Sequence, residues 1–148
     1  MNLKLAPTII LSITLGVLGG ASVYTLHYAR GASYLSDDPK ACINCHVMGD
    51  QYNSWSKSTH HAVTNCNSCH SPQNKLAKVF VKAINGAAHS YAFTFDQYDK
   101  PIKIKKWNGD IVQNACLHCH QTLFETHPGG FNNNLRCIQC HKDVGHGK

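Results

Sequence analysis

The chain has 148 residues, a formal charge of +6 and eight cysteines, and its apolar side chains are concentrated in the first thirty positions. The remaining residues are rich in Asn, Lys and His, and they lack the continuous apolar centre that a domain of this size normally needs. This composition excludes a domain that folds around its own side chains alone.

The N-terminal segment predicts a membrane-spanning helix. Residues 5–29 contain no Lys, Arg, Asp or Glu, and a helix of this length reaches ~37 Å, enough to cross a hydrocarbon layer of about 30 Å. Tyr24, His27 and Tyr28 lie at its C-terminal end, where amphipathic rings favour the membrane interface. The alternative is a signal peptide cleaved near residues 19–22. We favour the uncleaved helix because apolar residues continue beyond that point.

Four Cys-x-x-Cys-His motifs use every cysteine of the chain. The motifs consist of Cys42, Cys45 and His46; Cys66, Cys69 and His70; Cys116, Cys119 and His120; and Cys137, Cys140 and His141. In c-type haem attachment the two thiols form thioethers and the adjacent imidazole reaches the iron. Zinc ribbons also contain Cys pairs, but a zinc site made of four cysteines has no use for a His after each pair. We therefore predict four covalently bound c-type haems.

Haem attachment has three consequences for the whole chain. Oxidised haems would lower the formal charge of +6 to about +2, which argues against a nucleic-acid partner. Covalent attachment takes place outside the cytoplasm, so the chain after residue 30 lies on the periplasmic side of a bacterial inner membrane. We expect a mainly α fold with much irregular loop, in which an anchor at 1–30 precedes a haem-nucleated domain at 31–148.

The motifs form two pairs on either side of residues 71–115, which suggests two dihaem units. Ser71-Pro72 predicts a helix start, and apolar residues then recur with helical spacing as far as Tyr91. Residues 96–110, with a turn at Asn108-Gly109, are interpreted as an exposed loop or short hairpin.

A polar stripe runs along the predicted helix opposite its apolar residues. The ordinary interpretation is a solvated face, and the alternative is contact with lipid headgroups or with a pocket at the membrane surface. The stripe consists of Lys75, Lys78, Lys82, Asn85 and His89.

Candidate axial ligands of iron include one methionine and several histidines outside the motifs. Met48 follows His46 by two residues and is a ligand candidate, because the other methionine is the initiator. His61 and His146 would link the two dihaem units as distal ligands. His27 in the anchor and His118 inside a motif are less suited, while the roles of His60 and His127 stay open.

The chain resembles the NapC/NirT family of membrane-anchored multihaem quinol dehydrogenases, and within it the NrfH type, the small subunit of ammonia-forming cytochrome c nitrite reductase. The single anchor, residues 34–41 and the Cys-x-x-Cys-His-x-Met motif at 42–48 carry this resemblance, together with His61, Lys82, His89 and His146.

The resemblance implies a set of axial ligands, with the haems numbered by their motifs. Met48 would replace His46 at haem 1, and His70 would bind haem 2, with a sixth ligand from a lysine of the partner in some members. The remaining implied pairs are His120 with His146 at haem 3 and His141 with His61 at haem 4.

The resemblance also implies an activity, in which menaquinol or another quinol from the membrane pool is oxidised beside haem 1. Lys82 would line the quinol site. His89 stands where a well-studied member has an aspartate, and its two open roles are binding the iron and accepting a quinol proton. Electrons would pass to a multihaem periplasmic nitrite reductase catalytic subunit within a hetero-oligomer. Nitrite chemistry would belong to that partner, because its catalytic haem uses Cys-x-x-Cys-Lys and all four motifs here end in His.

Two other functions stay open at this level. One is a related quinol dehydrogenase that serves several periplasmic acceptors. The other is a non-enzymatic tetrahaem electron shuttle whose N-terminal segment is a cleaved signal.

Intact mass spectrometry of the mature protein separates the anchored forms from the shuttle. We expect the mass of a chain that retains residues 1–30 and carries four haems, because the apolar segment is long enough to span the membrane. Loss of the first twenty or so residues would contradict the anchor and the quinol site with it.

Overall fold

The computed structural model describes residues 5–125 and 135–147, and the chain divides into two compact units, Met1–Tyr34 and Leu35–Lys148. The α-helices are Leu5–Tyr28 (α1), Gly49–Ser56 (α2), Cys66–His70 (α3), Lys75–Thr94 (α4), Lys106–Glu125 (α5) and Cys137–Cys140 (α6). Short 3-10 turns lie between α1 and α3, and the described residues contain no strand. The predicted mainly helical fold class is confirmed, while the domain boundary after residue 30 stays a prediction.

α1 is apolar on all sides, with a mean hydropathy of 1.9 and no buried residue. Its 24 residues reach about 36 Å, so its length and composition suffice to cross a membrane. The hydroxyls of Thr14, Ser22 and Thr25 donate to the carbonyl four residues earlier at 2.8 to 2.9 Å. These bonds satisfy the three hydroxyls without water, as a hydrocarbon environment requires.

The second unit has almost no hydrophobic core of its own. Among the described residues, the buried hydrophobic side chains are Ala41, Trp55, Val81 and Ala115, and none is less than 2% exposed. They come from separate elements and form no continuous centre. This is the packing expected of a chain that folds around a cofactor.

α5 is the element on which the two halves of the second unit meet. Both α3 and α6 pack against α5, and the turn Pro39–Asn44 packs against α2 and α3. α3 begins with a capping box, in which Asn65 accepts from the Ser68 amide at 2.9 Å and donates its own amide to the Ser68 hydroxyl at 3.1 Å. The motif helices are therefore fixed relative to α5.

The predicted helix start at Ser71-Pro72 is wrong, because α4 begins at Lys75. Asn74 is its N-cap and accepts from the amides of Leu76 and Ala77 at 3.0 and 3.1 Å. Ser71 instead ends α3, where its amide donates to the Asn67 carbonyl at 3.1 Å. The stretch between α3 and α4 thus contains two candidate N-cap residues. Asn74 caps α4, whereas Ser71 is the C-cap of α3.

The predicted turn at Asn108-Gly109 is also wrong, because both residues lie in the first turns of α5. Gly109 is buried, and the Asn108 amide exchanges two hydrogen bonds with Asn85 of α4 at 3.1 and 3.2 Å. Arg136 pairs with Asp110 and so joins the segment before α6 to α5. These side-chain contacts favour helix at a pair of residues that is typical of turns.

Asn85→Ala tests the connection between α4 and α5. The change removes two hydrogen bonds and leaves the part-buried Asn108 amide unpaired, so we expect a loss of about 1–2 kcal/mol in the free energy of unfolding. The measurement is the thermal unfolding midpoint of the haem-containing protein in detergent. Asn53→Ala, at an exposed position of α2, is the control, and an equal shift in both variants would contradict the assignment.

Candidate functional site

The eight motif cysteines form no disulfide in the described part of the chain and lie in or beside helical segments. The motif cysteines of α3, α5 and α6 are three residues apart in a helix, so each pair lies on one helix face. In the first motif the chain is extended at Cys45, between two 3-10 turns. Three motifs therefore share a backbone geometry that the first motif does not have. The first motif is also the one for which Met48 is a candidate ligand.

Motifs that are adjacent along the chain also have thiols that are close together in space. Cys42 and Cys66 are hydrogen-bonded, and so are Cys116 and Cys137. Burial, followed by the nearby Cys119, raises the pKa of the Cys69 thiol. The hydrogen bond to Cys42 raises the pKa of Cys66, because Cys66 holds the shared proton. The first motif thus lies beside the second, the second beside the third and the third beside the fourth. The two expected pairs form a single row.

His70 and His146 face each other although the chain separates them widely. Their ring centres are 5.9 Å apart, and the His146 Nδ1 is 3.1 Å from the Gln51 carbonyl oxygen. An iron atom between two imidazoles sets their centres about 6 Å apart, since each iron–nitrogen bond is about 2 Å. An Nδ1–H donated to a carbonyl leaves Nε2 with a free lone pair, which is the usual arrangement of a metal-binding histidine.

His60 and His120 form a second pair with the same spacing. Their ring centres are 6.2 Å apart, and the His60 Nδ1 is 3.4 Å from the Thr59 hydroxyl. His120 lies at a kink of α5, with φ −107° and ψ 17°. Sequence reasoning left His60 without a role, because an exposed pair of adjacent histidines carries no signal of its own.

The pKa of His70 and several unpartnered polar atoms fit a haem. Desolvation by the surrounding protein, followed by the charges of His146 and His89, lowers the pKa of His70 to about 4, so the imidazole is neutral and able to bind iron. The Trp55 Nε1–H and the Ser58 hydroxyl are buried without a partner in the described part of the chain. Both can donate to an anion such as a haem propionate.

Lys82 points inward to the loop that precedes the first motif. Its side chain is only 15% exposed, and its Nζ donates to the Ser36 carbonyl at 2.9 Å, to Asp37 at 3.2 Å and to the Leu35 carbonyl at 3.5 Å. Lys78 binds the other Asp37 oxygen at 2.6 Å. The hydrogen bond from Lys78 is the main cause that lowers the pKa of Asp37 to about 2.

The solvated-face interpretation of the polar stripe is therefore wrong for Lys78, Lys82 and Asn85. Two of these side chains bind Asp37 and the third binds Asn108. The sequence analysis missed Asp37. No local signal could have found it, because a face of lysines on a helix is ordinarily solvated and Asp37 lies 45 residues from Lys82.

His89 lies two turns beyond Lys82 on the same face of α4, about 10 Å away along the axis. Its ring lies 6.4 Å from that of Phe93 in an edge-on arrangement. Desolvation by the protein and the nearby Lys105 ammonium group lower the pKa of His89. The imidazole is therefore neutral at neutral pH and able to accept a proton.

The other predicted ligands are distributed over the second unit. Met48 is half-buried in the turn before α2, whereas His46 is exposed. The His61 ring contacts Trp55 with ring centres 4.7 Å apart, and His141 follows the last residue of α6. His127 lies outside the described residues.

The chain is similar to proteins of known family along nearly all its length. The family described as NapC/NirT cytochrome c family, N-terminal region, matches residues 3–148. The chain is 39% identical to the cytochrome c-type protein NrfH of Wolinella succinogenes, over 95% of this chain and 84% of that protein. It is 32% identical to the cytochrome c nitrite reductase subunit NrfH of Nitratidesulfovibrio vulgaris, over 88% of this chain and 82% of that one.

A solved structure supports the same relationship. The fold matches a chain in the crystal structure of the cytochrome c nitrite reductase NrfHA complex bound to the HQNO inhibitor, with a TM-score of 0.68 and 28% identity. The match covers 93% of this chain and 90% of that chain. These findings confirm the family that the motifs and the anchor indicated.

Proposed function

The chain belongs to the NapC/NirT cytochrome c family, and we propose that it is a membrane-anchored tetrahaem quinol dehydrogenase serving a nitrite reductase. It oxidises menaquinol or another quinol and transfers the electrons to a multihaem catalytic subunit, with which it forms a hetero-oligomer. The carrying observation is the row of four motifs, which begins at Cys42, fourteen residues after the end of α1 at Tyr28. The anchor belongs to a bacterial inner membrane, and the second unit lies on the periplasmic side.

Membership of a cytochrome c family implies covalently bound haem c, and the eight motif cysteines would hold four such groups. When bound, haem c accepts and releases electrons one at a time. The contacts between successive motifs support transfer in chain order, from the motif nearest the anchor to the one at the C-terminus. Nitrite chemistry belongs to the partner, since every motif of this chain ends in His.

The ring distances favour an axial pairing that differs in part from the one implied by the resemblance. His146 pairs with His70, and His60 pairs with His120. The pairing of His141 with His61 and the ligand role of Met48 stay as the resemblance implied them. Under this assignment the second, third and fourth haems each have a distal histidine from this chain.

Lys82 holds one oxygen of the quinol, and of the two protons that oxidation releases, His89 accepts one and water the other. All three N–H groups of Lys82 already have acceptors, and the Leu35 carbonyl at 3.5 Å is the weakest of them. A quinol oxygen can replace that contact while Ser36 and Asp37 keep the ammonium group in place. The lowered pKa of His89 leaves its ring neutral at neutral pH, so that it can take up a proton as the quinol is oxidised.

His146→Ala and His60→Ala test the axial pairs. Each change should convert one ferric haem from low spin to high spin, because each removes a distal ligand, and the double variant should contain two such haems. The measurement is the number of low-spin ferric haems by electron paramagnetic resonance and near-infrared magnetic circular dichroism. His118→Ala, inside the third motif, is the control.

The two pairing schemes give different results in this series. If His146 pairs with His120 and His60 binds no iron, His60→Ala will leave the spectrum unchanged and the double variant will equal His146→Ala. That result would reject the pairing favoured by the ring distances.

Lys82→Ala and His89→Ala test the quinol site. Loss of a general base costs on the order of 10²-fold in rate, so we expect a decrease of that size for His89→Ala and a raised KM for Lys82→Ala. In the unmodified protein, quinol oxidation should decrease as the pH falls through a His89 pKa below 6.5, because the protonated ring cannot accept a proton. This acidic limb should be absent in His89→Ala.

The control for these variants is Lys75→Ala, at an exposed position in the first turn of the same helix. Unchanged rates for both Lys82→Ala and His89→Ala would remove α4 from the mechanism. A low-spin to high-spin change in His89→Ala would assign His89 to the iron instead.

A further inference from the structure

The outward face of α4 is a continuous apolar stripe. Leu76 is 84% exposed, Phe80 66% and Tyr91 57%, although each is a large hydrophobic side chain. The exposed stripe extends about 22 Å along the helix and contains no charged side chain. It consists of Leu76, Val79, Phe80, Ala83, Ile84, Ala87 and Tyr91.

Polar contacts on the opposite face of α4 fix the orientation of the helix about its axis. Lys78 and Lys82 bind Asp37, and Asn85 exchanges two hydrogen bonds with Asn108. Rotation of α4 about its axis to bury the apolar stripe would break all of these contacts and move the two lysines to the outside. The helix is thus held with its polar side against the protein and its apolar side away from it.

Water is a poor environment for such a surface. Single exposed hydrophobic residues are common in soluble proteins, but an apolar face along about four turns of helix is a contiguous patch of the kind that marks a binding surface. Its length and the absence of charge restrict what can cover it.

We propose that the outward face of α4 lies in the headgroup–acyl boundary of the membrane, as an interfacial helix. An amphipathic helix that lies on a bilayer buries its apolar face about 5–10 Å deep, and Tyr side chains such as Tyr91 are typical of that depth. The same chain contains α1, which has the length and composition of a membrane span, so its second unit is tethered to a bilayer surface.

A lipid surface fits the stripe better than a protein partner does. Protein interfaces contain roughly one hydrogen bond per 100–200 Å², whereas the polar side-chain groups on this face are the hydroxyls of Tyr91 and Ser90. The inference rests on the membrane anchoring of the proposed function. It adds the route by which the quinol reaches its site, which is from the lipid past α4. The helix is about 10 Å thick, so Lys82 and His89 on the face opposite the stripe lie within reach of a quinol that arrives from the lipid.

Site-directed spin labelling tests the proposal on the complete haem-loaded protein. The motif cysteines are occupied by haem, so Phe80→Cys supplies one reactive thiol for a nitroxide label, and the labelled protein is reconstituted in phosphatidylcholine–phosphatidylglycerol vesicles. The measurement is the collision frequency of the label with oxygen, which partitions into lipid, and with a water-soluble nickel chelate. Each value is taken relative to the same sample without the relaxing agent, which removes the constant effect of ferric haem.

We expect the label at position 80 to collide several-fold more with oxygen than with the nickel chelate. Val63→Cys is the control, because Val63 is 80% exposed in another element and should show the opposite preference. Leu76→Cys reports on the same stripe at its most exposed position, in case the label at 80 disturbs folding.

Three outcomes would overturn the proposal. Collisions with the nickel chelate at positions 76 and 80 that equal those at 63 would place the stripe in water. Low collision frequencies with both agents would show that protein or haem covers it. Release of the protein from the vesicles would overturn the anchoring as well, and so it separates a failure of the proposed function from a failure of this inference alone.

Discussion

Covalent attachment of haem to pairs of cysteines is the constraint on which the rest of this protein depends. The second unit buries four hydrophobic side chains among its described residues. So small an apolar centre does not offset the entropy that the chain loses when its backbone is ordered. Flat apolar porphyrins, fixed by two bonds each, supply the packing partner that the short helices need.

The same constraint explains why polar side chains carry so much of the remaining structure. Without a continuous core, elements are joined by specific polar contacts such as Asn85 with Asn108 and Arg136 with Asp110. Lys78 and Lys82 join α4 to the loop at Asp37. These contacts orient α4, so that Lys78, Lys82 and Asn85 face the protein and the apolar stripe faces outward.

Much of the architecture could be predicted from the sequence because it is determined by local sequence patterns. The haem motifs, the uncharged N-terminal helix and the helical spacing before Tyr91 each depend on residues close together in the chain. The orientation of α4 could not be predicted, since the usual rule that apolar faces turn inward assumes a protein interior on one side and water on the other. The same rule assigned Lys82 to solvent. Its partner Asp37 lies 45 residues away, and no local pattern connects the two.

The approach of His146 to His70 and of His60 to His120 could not be predicted from local patterns for the same reason. His146 and Gln51 are 95 residues apart, and only the folded chain brings the imidazole to the carbonyl that orients it. His60 lies beside His61, and the sequence offers no means of telling which of the two rings turns towards another motif. The two wrong predictions of local structure, at Ser71 and at Asn108-Gly109, concern residues whose structure is decided by other contacts. Ser71 ends α3 instead of starting α4, and Asn108 is held in α5 by its hydrogen bonds to Asn85.

Hydrogen exchange of the chain made with and without haem attachment tests this dependence most directly. In detergent, the amides of α1 should be protected in both forms, because that helix is stabilised by its apolar environment. The amides of α3, α4 and α5 should be protected in the haem-loaded protein and should exchange at the rate of an unfolded chain when haem attachment is prevented. Protection of these three helices in the colourless chain would contradict the account.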